Sequence, residues 1–264
     1  MNVIKRFKNG LDVGLFSFGL LWKHKKLILY LSVPKLTGMI LSLIAYNLFF
    51  VSPPKSALIL HGAMNRVLER FGAMQHIILL LVEMVAILAA IFVTVALTHH
   101  VFALLKKRKA GIKRSLKAAQ KKLKPILFWS LISAVVYFLI HKIDLLAYPT
   151  ANGECNLFFA TIAITARIAW SLPFLFVVPL IALEEQPLLA NVKKSPSMVQ
   201  KLFVEYCGAL FWIGLVGLLA LVPLYLVYPE KLAATGIQYI LVATITFSIA
   251  TVHGILKTVL YQKS

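Results

Sequence analysis

The sequence predicts an all-α, polytopic membrane protein with six transmembrane helices and three amphipathic helices lying in the interface on the cytoplasmic side. Three observations carry this. Six apolar segments, at 27–51, 76–105, 125–140, 156–183, 205–228 and 236–260, are separated by short polar breaks. Each approaches or exceeds the roughly 20 residues that cross a hydrocarbon core about 30 Å thick; the third needs the end of the basic segment before it. Hydrophobic residues make up 60% of the 264 and charged residues 14%, against about 45–50% and 25% in soluble domains. The third observation is where the charge falls, because the net +19 gathers on one side of the implied membrane.

With loops alternating from a cytoplasmic N-terminus, 21 of the 28 basic residues face the cytoplasm, in the segments 5–26, 106–124, 193–201 and 257–263. Lys55, Arg66, Arg70, Lys142 and Lys231 face the other side, and Lys35 and Arg167 lie within spans. Short loops with this bias follow the positive-inside rule, which predicts that both termini are cytoplasmic. The same charge argues against nucleic acid. A basic groove for single strands interleaves stacking aromatics, and the run 106–124 has none.

The first element is a helix over 4–22, with Ile4, Phe7, Leu11, Leu15, Phe18 and Trp22 at helical spacing and Lys5, Lys8 and Asp12 off that stripe. Its apolar run is followed by Lys23, His24, Lys25 and Lys26 rather than a small-residue cleavage site, so it does not read as a leader. In the first span Lys35 sits eight residues in, about 12 Å, within snorkelling reach of the headgroups. The second interfacial helix, 106–124, carries Ile112, Leu116, Ala119 and Leu123 on one face. Its other face holds Lys106, Lys107, Arg108, Lys109, Lys113, Arg114, Lys117, Lys121, Lys122 and Lys124, with no acidic residue. Those ten form the predicted surface for anionic lipid headgroups, each contributing about 1 kcal/mol near a charged membrane. In the fourth span Pro173 and Pro179 predict a bend in the inner half. The third interfacial helix starts at Pro187 or at Ser195-Pro196 and carries Met198, Val199, Leu202 and Phe203. Pro34 and Pro223 fall within the first and fifth spans, and His253 in the sixth reads as a hydrogen-bonded packing residue. One membrane domain results, with a three-fold repeat of amphipathic helix plus hairpin at 1–105, 106–186 and 187–264.

Ionisable residues within spans are costly and point to function. Glu83 and Arg167 lie at similar depth in one leaflet, so they read as a buried ion pair. Such a pair is a structural clasp, or a coupling-ion or substrate site if the chain transports. Signatures of catalysis or cofactor binding do not emerge. H-E-x-x-H and G-x-S-x-G are missing. His99 and His100 are adjacent, so their rings leave on different helix faces. Glu184-Glu185 lacks the following Arg and later histidines of membrane-embedded prenyl-type proteases, and reads instead as a partner for Lys193-Lys194. Cys155 and Cys207 fall on opposite sides of the bilayer and do not pair.

Two stretches carry a resemblance. One is Gly111-Ile112-Lys113-Arg114-Ser115-Leu116-Lys117-Ala118-Ala119 running into Ile126-Leu127-Phe128-Trp129-Ser130-Leu131-Ile132. The other comprises Trp170, Phe176-Val177-Val178-Pro179, Glu184 and Ala190-Asn191-Val192-Lys193-Lys194-Ser195. Over about residues 1–225 the chain resembles a family of bacterial integral membrane proteins, domain of unknown function 6159. It is more distantly similar to the membrane domain of some glycerophosphodiester phosphodiesterases, without their catalytic domain. The resemblance implies fold and location, not chemistry. The expected function is that of a non-enzymatic envelope or lipid-associated membrane protein; the alternative is a transporter or channel for a small solute, ion or lipid with Glu83 and Arg167 near the path.

Overall fold

A computed structural model of the chain describes residues 2–30, 32, 61–109, 111–147, 156–227 and 236–263, apart from the side chains of 61–80, 82–83, 144–145, 147, 221–227, 236–244 and 247. Among the described residues the chain is all helical, with eight α-helices, one 3₁₀ turn and no strand. The helices are α1 (Val3–Lys23), α2 (His61–Leu105), α3 (Ile112–Lys121), α4 (Leu123–Ala147), α5 (Leu157–Ser171), α6 (Val177–Leu183), α7 (Leu188–Val227) and α8 (Gly236–Lys263); the 3₁₀ turn is Lys25–Leu27. Three of them contain segments long and apolar enough to cross a membrane, Met84–Leu105, Leu123–Ile143 and Leu188–Ala220. Most of the expected first span lies outside the described residues.

The helix boundaries differ from the sequence reading in three places. The helix carrying the second span begins at His61, so the backbone of Arg66 and Arg70 belongs to it rather than to a loop. The expected third interfacial helix and the fifth span are one continuous helix, α7, whose 40 residues extend about 60 Å. Pro196 sits inside α7 and removes one backbone donor, yet does not end it. The run 106–124 is not one helix: Lys106–Lys109 form a turn, α3 covers only Ile112–Lys121, and Leu123 opens α4. The bend expected in the fourth span is present, because α5 stops at Ser171 and α6 starts at Val177, with a turn at 172–176 that contains Pro173.

The chain divides into two compact units. The first joins Met1–Val33, Ile91–Ile126 and Ile168–Ser264. Within it α1 packs along α7, and α8 packs against both. Asn2 caps α1, its side-chain oxygen accepting from the Ile4 amide at 3.2 Å. The side of α1 that is buried is Gly10, Val13, Gly14, Ser17 and Leu21, while Ile4, Phe7, Leu15 and Trp22 are exposed. Four members of the apolar stripe picked out in the sequence therefore point outward, while Leu11 and Phe18 are half-buried. The contact is made by small residues between them together with Val13 and Leu21. A Cβ on Gly10 would collide with the Glu205 carbonyl oxygen, and one on Gly208 with the Phe7 carbonyl oxygen. A Cβ on Gly14 would lie 3.2 Å from both the Ala209 oxygen and the Trp212 Cβ. Membrane helices associate through such small-residue seams, since lipid supplies no hydrophobic drive between them.

At the edge of this crossing, Arg6 forms a two-pronged ion pair with Glu205, at 2.8 and 2.7 Å, and also donates to the Lys201 carbonyl. The hydrogen bond to Glu205 holds the guanidinium still further above its ordinary pKa range. Where α7 faces the broken helix, the Ser195 hydroxyl donates to the Pro173 carbonyl at 2.8 Å and accepts from the Phe176 amide at 3.1 Å. One fully buried side chain thus closes two backbone groups that the turn leaves open. On α8, His253 accepts its expected role as a hydrogen-bonded packing residue, with its Nε2 2.8 Å from the Tyr206 hydroxyl.

The second unit joins Pro34–Ala90 and Leu127–Arg167. In it α4 buries Trp129, Ser130, Ser133 and Ala134, and exposes Phe128, Leu131, Ile132, Val135 and Leu139. A continuous exposed apolar face of this kind is an aggregation hazard in water and an ordinary outer surface in lipid.

Two substitutions separate the seam from general helix propensity. Gly10→Ala should lower stability in detergent by about 1–3 kcal/mol, because its methyl meets backbone. Gly19→Ala, on the same helix with nothing within 4 Å, should raise it by about 0.5–1 kcal/mol. Equal effects in thermal unfolding followed by circular dichroism would contradict the crossing. Ser195→Ala should cost about 1–3 kcal/mol, since it leaves two buried backbone groups unpaired; an unchanged melting temperature would show that the turn is satisfied in some other way.

Candidate anion-binding site

The basic residues of 106–124 are held by a defined C-terminal cap on α2. The Arg108 amide donates to the Ala103 carbonyl at 2.8 Å and the Lys107 amide to that of Leu104 at 2.9 Å. This is the paired 6→1 and 5→2 pattern that closes a helix over a left-handed residue. That residue is Lys107, with φ 53°, at a position glycine usually fills. The chain then crosses Gly111 into α3, where the Ser115 hydroxyl donates to the Gly111 carbonyl at 3.1 Å and Arg114 to the Lys109 carbonyl at 3.2 Å. α3 buries Ser115 and Ala119. Ile112 and Leu116, on the same face, are half-buried, so the expected apolar stripe is the face that docks as far as Ala119, while Leu123 at the start of α4 is exposed.

Beneath this turn lies a pocket of about 270 Å³, lined by His99, Lys106, Arg108, Lys109, Arg114 and Ser115 among others. Four cationic side chains and no carboxylate border it. The His99 Nε2 is buried and has no hydrogen-bond partner, a condition that costs about 1–3 kcal/mol. His100 turns the other way, its Nδ1 lying 2.9 Å from the Tyr30 hydroxyl, so the adjacent histidines diverge as expected. Among the described residues no group of His, Cys, Asp and Glu is arranged to hold a metal ion.

A second pocket, of about 400 Å³, shares Phe102 and Lys106 with the first and adds Glu184, Lys194, Lys201 and Tyr261. Glu184 organises it. Its Oε1 accepts from Lys194 at 2.5 Å and from the Tyr261 hydroxyl at 2.8 Å, while its backbone oxygen accepts from Lys122 at 2.7 Å. The expected partnership of Glu184 with the Lys193-Lys194 pair is therefore made by Lys194. Lys122 belongs to this node rather than to the open basic surface. Lys107, Lys113, Lys117, Lys121 and Lys124 are exposed.

The predicted pair of Glu83 with Arg167 lies outside the described residues on the Glu83 side; Arg167 is exposed on α5. Cys155 is also outside them, and Cys207 is a free thiol. The unpartnered His99 Nε2 and the Arg6–Glu205 pair escaped the sequence reading. His99 carried only the signal of a polar side chain at the end of an apolar run, and Arg6 with Glu205 are 199 positions apart. No family model, curated protein or solved structure matches the chain.

The cap itself is testable. Lys107→Gly should stabilise the fold by about 1 kcal/mol, because the left-handed conformation penalises a Cβ. A loss of stability would mean that the Lys107 side chain makes a contact worth more than the strain.

Proposed function

We propose that the chain is a six-span protein of a bacterial inner membrane, with both of its ends on the cytoplasmic side, that holds anionic lipid headgroups at its basic face and carries out no catalysis. The observation that carries this reading is the edge where α3 meets α4. Exposed Lys113, Lys117, Lys121 and Lys124 stand in sequence beside exposed Leu123, Leu127 and Phe128. Apolar side chains that seek the acyl layer, with cations at their border, match the boundary between hydrocarbon and headgroup. The same charges would orient the chain by the positive-inside rule and attract acidic lipid.

The burial pattern also supports two of the three repeats. Buried positions recur between the second and third copies at one spacing, from 115 to 191, 119 to 195, 126 to 202, 130 to 206 and 133 to 209. Each pre-span helix buries small or polar residues four apart, Gly10 with Gly14, Ser115 with Ala119, and Asn191 with Ser195.

In nanodiscs of mixed neutral and anionic lipid, the full chain should gather anionic lipid around itself, and less of it as salt rises, because the screening length shortens to about 3 Å at 1 M. Replacing Lys113, Lys117, Lys121 and Lys124 together by Gln should reduce that enrichment, each charge contributing about 1 kcal/mol. Enrichment unaffected by salt and by the four substitutions would contradict the reading.

A further inference from the structure

The pocket beneath the α2–α3 turn has features that an open basic surface does not need. Lys106, Arg108, Lys109 and Arg114 converge on about 270 Å³ without a carboxylate among the lining residues. Like charges gathered around a small concavity repel one another, and the arrangement becomes favourable when an anion sits between them. The turn is also built, not loose. Lys107 is held in a left-handed conformation by two backbone bonds, and Arg114 is tied to the Lys109 carbonyl. His99 is also among the residues that line it.

We propose that this pocket is a phosphate site, and specifically one for a terminal phosphate, the phosphomonoester group, whether carried on a lipid headgroup or free in solution. The proposal rests on the anionic-lipid reading above and narrows it to one ligand class and one set of residues. Size sets one limit. Ligand pockets for drug-sized molecules occupy about 300–1,000 Å³, so this one suits a headgroup rather than a whole small molecule. Charge sets another, since four cations match a dianion better than the single charge of a phosphodiester. Arginine forks pair with two phosphate oxygens at once, and Arg108 and Arg114 supply two of them.

The test uses the full chain in nanodiscs of phosphatidylcholine containing, at equal mole fraction, either phosphatidic acid or phosphatidylglycerol, with bound lipid counted after extraction into detergent. The native chain should retain phosphatidic acid over phosphatidylglycerol by about tenfold, the equivalent of one strong charge-assisted hydrogen bond. The double variant Arg108→Gln/Arg114→Gln should bring the two to parity. Lys117→Gln/Lys121→Gln, outside the pocket, should lower total anionic lipid and leave the preference intact. A second arm adds inorganic phosphate to the detergent-purified chain. If phosphate raises the melting temperature of the native chain but not of the Arg108/Arg114 variant, while the lipid preference is missing, the site is one for a soluble phosphate. No preference and no phosphate effect, or a preference that survives in the Arg108/Arg114 variant, would overturn the site. Equal retention of both acidic lipids above phosphatidylcholine would then leave the broader lipid reading standing. Failure to retain either acidic lipid would remove that reading instead.

Discussion

Everything in the first unit depends on the closeness with which α1 crosses α7. Backbones approach to this degree only where side chains are missing, and Gly10, Gly14 and Gly208 provide the gap. A single methyl at Gly10 would strike the Glu205 carbonyl, so the crossing tolerates no substitution there without a shift of one helix. Once α1 is seated there, Val13 and Leu21 are buried with the small residues, while Ile4, Leu15 and Trp22 are left on the outer side. The Arg6–Glu205 pair then fixes the register of the crossing through planar, two-pronged geometry rather than through simple attraction.

The polar contacts in the unit answer a different need. Where a helix is interrupted away from water, each freed N–H and C=O requires a partner within the protein. Ser195 meets that need for the turn at 172–176, from a neighbouring helix and with both its donor and its acceptor capacity. Glu184 plays a similar part at the end of α6, gathering Lys122, Lys194 and Tyr261 around one residue. These two side chains tie α6, α7, α8 and the α3–α4 junction together.

Much of the architecture was legible in the sequence, and the limits of legibility have physical causes. Hydropathy marked the three helices that are long and apolar enough to cross a membrane, because lipid imposes length and apolar composition directly on a chain that spans it. The break in the fourth span was visible because proline lacks the donor and forces φ. By contrast, Pro196 with its flanking lysines looked like a boundary, yet α7 runs through it, since one missing hydrogen bond costs less than the packing that holds the helix on both sides. The run 106–124 read as one helix because its composition is uniformly helix-forming. The left-handed Lys107 breaks it, and nothing local announces a lysine in a glycine's position. For α1 the large apolar residues dominated the periodicity, although the contact belongs to the glycines and Ser17 between them, together with Val13 and Leu21. Arg6 with Glu205 and Tyr261 with Glu184 join residues far apart in number, so they become visible only when the helices are in place.

The central claim is that the exposed apolar face of α4 meets hydrocarbon and that the exposed lysines of α3 stand in the aqueous headgroup margin. Spin labels placed one at a time at Phe128, Leu131, Val135 and Leu139, and at Lys113, Lys117 and Lys121, report this directly in a reconstituted bilayer. Labels on the four α4 positions should relax strongly with oxygen, which concentrates in the acyl layer, and weakly with a water-soluble nickel chelate. The α3 positions should show the opposite preference. Strong chelate accessibility along α4, or oxygen preference at Lys113 and Lys117, would contradict the placement of this face in the membrane.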